Sequence, residues 1–91
     1  MIVRTPRKKA TEFTFVLPIE HPPGAVSVVG DFNDWQPGTH PLVDVDTQVR
    51  AVTIEVPEGQ RVAFRYLAED GHWFDDEQAD WHDGDNGHLA A

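Results

Sequence analysis

Gln48-Val49-Arg50-Ala51-Val52-Thr53-Ile54-Glu55-Val56-Pro57-Glu58-Gly59, continued by Gln60-Arg61-Val62-Ala63-Phe64-Arg65-Tyr66-Leu67-Ala68, is the stretch on which the fold turns. Side chains alternate between the faces of an extended strand. The first run therefore puts Val52, Ile54 and Val56 on one side and Ala51, Thr53 and Glu55 on the other. Pro57-Glu58-Gly59 reads as a tight turn, with Pro second and Gly fourth as a type I turn prefers. From Val62 to Ala68 the alternation resumes, with Phe64 and Tyr66 one way and Ala63, Arg65 and Leu67 the other.

The same period recurs on the N-terminal side. In Thr11 to Leu17, Phe13, Phe15 and Leu17 share one face while Glu12 and Thr14 take the other. Pro18 to Gly24, with its Pro22-Pro23 pair, is a connection, and Ala25 to Val29 is a further β-rich run closed by Gly30. Seven Gly and seven Pro punctuate the chain, and no window keeps a helical period for three turns. Short strands with turn signals at such intervals predict an all-β sandwich. The 91 residues allow one compact core and leave no room for a catalytic domain beside an accessory one. A basic N-terminal arm over residues 1–10 and a sandwich over 11–91 are the expected divisions.

Charge narrows the partners. Seven Lys and Arg stand against sixteen Asp and Glu, a formal net charge of −9. Arg4, Arg7, Lys8 and Lys9 fall among the first residues with no acid between them, and a solvated tail is the expected state of this arm. A nucleic-acid binder needs a basic face to displace counterions from phosphates, so neither nucleic acid nor an anionic membrane is an expected partner. There is no cysteine, hence no disulfide, thiolate zinc site or cysteine nucleophile. With no signal-like apolar stretch at the start, a cytoplasmic location is expected.

The loop after Ala68 decides where Trp73 points. A two-residue turn at Asp70-Gly71 pairs Trp73 with Ala68 and puts it on the Phe64/Tyr66 face. A three-residue loop, Glu69-Asp70-Gly71 with Gly71 left-handed, pairs it with Leu67 instead, on the face that carries Arg65. The second register is preferred, because Phe64 and Tyr66 already supply large core residues.

Val28-Val29-Gly30-Asp31-Phe32-Asn33-Asp34-Trp35, followed in order by Pro57-Glu58-Gly59, Phe64-Arg65-Tyr66 and Asp70-Gly71-His72-Trp73, resembles the signature of a known family. This is the glycogen-binding, isoamylase N-terminal-type carbohydrate-binding module, found beside glucan-branching enzymes and in the β subunit of AMP-activated protein kinase. The resemblance runs from about Glu12 to Asn86. It implies an early-set immunoglobulin-like sandwich that binds α-1,4-linked glucan or maltooligosaccharide. The family's two sugar-stacking tryptophans match Trp35 and Trp73, its basic sugar contact matches Arg65, and its late Asn contact matches Asn86. Departing from the pattern, the stretch after Trp73 is crowded with acids, which implies a shortened or altered closing loop and last strand. With no catalytic domain following, targeting of a glucan-processing enzyme would operate in trans.

Each candidate has a chemical rationale and a competing structural one. An indole at a loop tip offers a flat apolar face to the C–H face of a pyranose, with polar neighbours taking the hydroxyls. Trp35 could equally fold back over the core, and Trp73 could shield a hairpin edge. Arg65 can donate a fork of hydrogen bonds to vicinal hydroxyls, or form an ordinary surface ion pair. Asn33 can bond a hydroxyl, although an Asn in such a loop more often holds its own turn. Phe32 reads as core, and Trp81 as a cover for the open end of the sandwich.

No metal or cofactor is expected. Asp83-Gly84-Asp85-Asn86-Gly87 resembles a calcium loop only superficially, since Gly87 falls where a ligand is needed and no closing Glu follows. His82 and His88 match no zinc spacing, and a solvated acidic tail is the expected state of this region. Asp75, Asp76 and Glu77 are too close in sequence to flank a glycosidic bond, Ser27 lies within a strand, and there is no phosphate-cradling loop. The chain reads as a non-catalytic α-glucan-binding module, with a protein-interaction module that has lost sugar binding as the alternative.

Overall fold

The computed structural model describes all of residues 1–91. Its strands are β1 (Ile2–Pro6), β2 (Ala10–Pro18), β3 (Val26–Gly30), β4 (Val43–Asp44), β5 (Val49–Pro57), β6 (Arg61–Ala68), β7 (Trp73–Phe74), β8 (Trp81–His82) and β9 (Gly87–Ala90). They form two antiparallel sheets, one in the order β1-β2-β5-β4 and the other β3-β6-β9-β8, with β7 added to β6. The expected all-β sandwich is therefore what the chain forms.

The core lies where the alternation placed it. Phe13 and Phe15 face Ile54 and Val52 across the β2–β5 ladder, and Val28 faces Tyr66 in the opposite sheet. Phe13, Phe15, Val28, Phe64, Tyr66 and Leu89 are completely buried. Phe15 locks the sheets together: its ring centroid is 5.0 Å from that of Phe64 and 6.1 Å, edge-on, from that of Tyr66. Such aromatic pairs add about 0.5–1.5 kcal/mol each beyond the area they bury.

The turn after β5 forms one residue later than the sequence suggested. Gln60 N–H donates to Pro57 C=O at 3.1 Å, so Pro57 opens the turn and Gly59, at φ +81°, fills its third position. That position demands a left-handed residue, which glycine adopts without steric cost. The turn carries the chain from one sheet to the other and not into a hairpin.

Both charged ends are structured, which corrects two expectations. Residues 2–6 are not a solvated arm: they pair with β2 from Ile2–Phe15 to Pro6–Thr11. Arg4 lies over the Phe13 ring, donates to Ala90 C=O at 3.1 Å and pairs with the Asp80 carboxylate, so it bridges the sheets. A row of bases does not prevent strand pairing at a sheet edge, where charged side chains reach water. The acid-rich end is likewise no solvated tail. β9 lies between β6 and β8, and Leu89 is part of the core. Asp76, only 6% exposed, accepts a 2.7 Å hydrogen bond from the Tyr66 hydroxyl. Composition pointed to solvent here, but just past β7 the chain turns Asp76 inward to Tyr66 while its neighbour Asp75 stays exposed.

A further buried charge comes from β5. Arg50 sits on the core side of its strand and donates to Pro22 C=O and Gly24 C=O, both at 2.6 Å, fastening the proline-rich connection. No helix is long and apolar enough to cross a membrane.

Candidate functional site

The outer face of the second sheet collects the aromatic and basic candidates. Leu67 pairs with Trp73 across β6 and β7, the register that the three-residue loop predicted, and Gly71 holds φ +84°. Trp73 therefore lies on the face of Arg65, two positions along β6, and is 39% exposed. Phe74, its neighbour, turns inward and stacks on Tyr66 at 5.0 Å.

Arg65 stands where β6 passes from one partner to the next. β7 pairs as far as Tyr66, and β9 takes over at Phe64. One step beyond β7, Asp75 accepts a 3.0 Å hydrogen bond from Arg65 Nε. The two terminal guanidinium nitrogens make no hydrogen bond within the protein and stay available to a ligand. Sequence reading missed Asp75 as this partner, although the same register count from Leu67–Trp73 places it opposite Arg65. Asn86, half-buried, immediately precedes the Gly87–Phe64 pair at which the β6–β9 ladder ends, and its backbone pairs with Asp83 in the β8–β9 turn.

The Gly30 to Trp35 segment divides into framework and display. A Cβ at Gly30 would overlap the Ala63 carbonyl oxygen and the Phe32 ring, so glycine is required for space and not for conformation. Phe32 packs on the core as expected. Asn33 is buried and fully committed: Oδ1 accepts from Gly30 N–H at 3.1 Å, while Nδ2 contacts Val28 C=O at 3.1 Å and His40 Nδ1 at 2.9 Å. It holds the turn with both amide hydrogens engaged and its side chain buried away from solvent, which takes it out of the contact residues. Trp35 is 38% exposed. Asp34 and Trp35 both adopt left-handed backbone, at φ 55° and 57°. A bulky residue there costs about 1–2 kcal/mol, and such strain collects at functional positions. Trp35 N–H donates to Gly30 C=O at 2.8 Å, which fixes the arrangement.

Trp81 does not cover the end of the sandwich. It pairs with His88, which pairs with Ala63, so all three share the outer face with Arg65. The Trp81 and His88 rings are parallel at 5.1 Å, and Trp81 is 39% exposed. His88 in turn contacts Asp83 Oδ2 at 2.6 Å. Backbone N–H donation from Asn86, the His88 contact and a further N–H from Asp85 hold the Asp83 carboxyl well below the usual carboxylate range. Asp83 thus closes the β8–β9 turn as a charged acceptor. No surface hollow is lined by a tryptophan, and Trp73 and Trp81 stand on the open outer face of the second sheet.

The chain is thus a two-sheet sandwich with Trp73 exposed on the face of a partly free Arg65. The model of carbohydrate-binding module family 48, the isoamylase N-terminal domain, matches residues 23–80, and the chain belongs to that family. No curated protein matches the chain.

Proposed function

We propose that this carbohydrate-binding module is non-catalytic and binds α-1,4-linked glucan through tryptophan stacking on the outer face of the second sheet. Trp73 and Trp35 lie under pyranose rings, the free terminal nitrogens of Arg65 donate to vicinal hydroxyls, and the Asn86 amide adds a contact. The observation that carries the reading is Trp73, half-exposed on the face of Arg65, whose Nη atoms have no partner inside the protein. The strained, exposed Trp35 supports it, since an indole with only a packing role has little reason to be held in left-handed backbone. An open platform buries few ligand atoms, so binding is weak and improves with chain length. Such a module would bring a glucan-processing enzyme to its substrate.

Titration with glycogen and maltoheptaose, followed by tryptophan fluorescence and amide NMR shifts, tests this. Saturable shifts confined to the outer face are the expected result. A folded protein that shows no response at millimolar sugar overturns it.

A further inference from the structure

Trp81 is the exposed indole that the proposed site leaves unused. It lies on the outer face that carries Trp73, because the pairs Leu67–Trp73, Ala63–His88 and His88–Trp81 join residues of one parity. Ala63 and Leu67 are four positions apart on β6, about 13 Å at the rise of a strand. β7 and β9 occupy the same edge of β6, opposite β3, and β8 lies one strand beyond β9. That adds a lateral offset of about 5 Å. One pyranose ring cannot touch both indoles, whereas a chain of several linked residues can.

The ring is built to be a platform. His88 stacks on it in parallel, with an interplanar angle of 1°, and the Arg61 guanidinium lies 5.8 Å from its centroid. Asp83 fixes His88, and Asp80 anchors the neighbouring strand through Ala90 N–H at 2.9 Å. The indole is thus held by His88 in a parallel stack while 39% of its residue surface meets solvent. Arg61, whose guanidinium makes no hydrogen bond within the protein, offers donors beside it for ring hydroxyls. On β6, Arg65 stands between Leu67, which pairs with Trp73, and Ala63, which leads through His88 to Trp81, so its donors lie between the two indoles.

We infer that Trp81, backed by His88, is a second stacking subsite that takes the distal residues of a glucan chain whose proximal residues lie on Trp73. This rests on the glucan-binding reading and adds a length requirement to it. The chain holds three tryptophans, so the indole N–H signals of the full-length protein report each ring separately. Maltoheptaose should shift all three, and maltose should leave that of Trp81 in place. Trp81→Ala should weaken maltoheptaose binding about tenfold, the effect of one lost aromatic stack, with maltose affinity unchanged. Trp81→Phe should recover most of the loss. If the Trp81 signal in the native protein ignores maltoheptaose while that of Trp73 moves, the second subsite is gone and the glucan-binding reading stands. If neither sugar moves any indole, the reading itself fails and the subsite falls with it.

Discussion

Leu67 and Trp73 stand opposite each other across the β6–β7 ladder. That single pairing sends the indole to the solvent face with Arg65 instead of into the core with Phe64 and Tyr66. The same count carries Asp75 to Arg65, where it occupies Nε and leaves the terminal nitrogens free.

The Arg65–Asp75 pair is partly exposed, with 29% and 43% of the two side chains accessible, so it contributes only about 0–1 kcal/mol to stability. Replacing either residue with Ala should hardly move the melting temperature. The two variants should part on sugar. Arg65→Ala should lower maltoheptaose affinity by about five- to tenfold through lost charge-assisted hydrogen bonds, while Asp75→Ala changes it little. Equal, unaltered affinities in calorimetry would remove Arg65 from the site.

Gly30 is limited by space. In Gly30→Ala the new methyl meets a backbone oxygen, Ala63 C=O, as well as the Phe32 ring, and a backbone atom cannot swing away. Overpacking of this kind costs about 1–3 kcal/mol. For a chain of this length that lowers the melting midpoint by about 4–8 °C per kcal/mol, and a variant melting with the native protein would refute the steric role.

The strand pattern made the sheets and the core faces legible from sequence, because alternation is a local property that packing merely uses. Phe13, Phe15, Ile54, Val56, Phe64 and Tyr66 are where their parity put them. The signature around Trp35 was legible as a motif but not as a division of labour. Gly30 and Asn33 serve steric and hydrogen-bonding roles that appear only when β6 and His40 are beside them. The ends misled for the same reason. Arg4 and Asp76 look like solvated charges until Asp80 and Tyr66 arrive from distant parts of the chain to meet them.

Trp35 should show stability and binding pulling apart. Its φ of 57° is costly for any side chain with a Cβ and free for glycine. Trp35→Gly should therefore be more stable than Trp35→Ala by about 1 kcal/mol, the reverse of the order within a strand or helix. Both should lose glucan affinity alike. Paired denaturant melts decide it, and an Ala variant as stable as the Gly variant would show that the backbone relaxes once the indole is gone.

Tyr66 ties the core to alkaline pH. Burial, reinforced by the Asp76 carboxylate that accepts its hydrogen bond at 2.7 Å, raises the phenol far above its ordinary value. The folded state thus keeps a proton that the unfolded chain releases above about pH 10, so stability is complete below that pH and is lost as pH rises. The loss should approach about 1.4 kcal/mol per pH unit for this one group. Tyr66 is the only tyrosine in the chain, so phenolate absorbance reports it alone. That absorbance should appear only together with the loss of near-ultraviolet tryptophan dichroism as the sandwich opens. Phenolate formation near pH 10 in a protein that is still folded would show the hydroxyl to be free of Asp76. In Tyr66→Phe this steep alkaline decline should flatten, while stability near neutral pH drops by about 1–3 kcal/mol because buried Asp76 loses a donor.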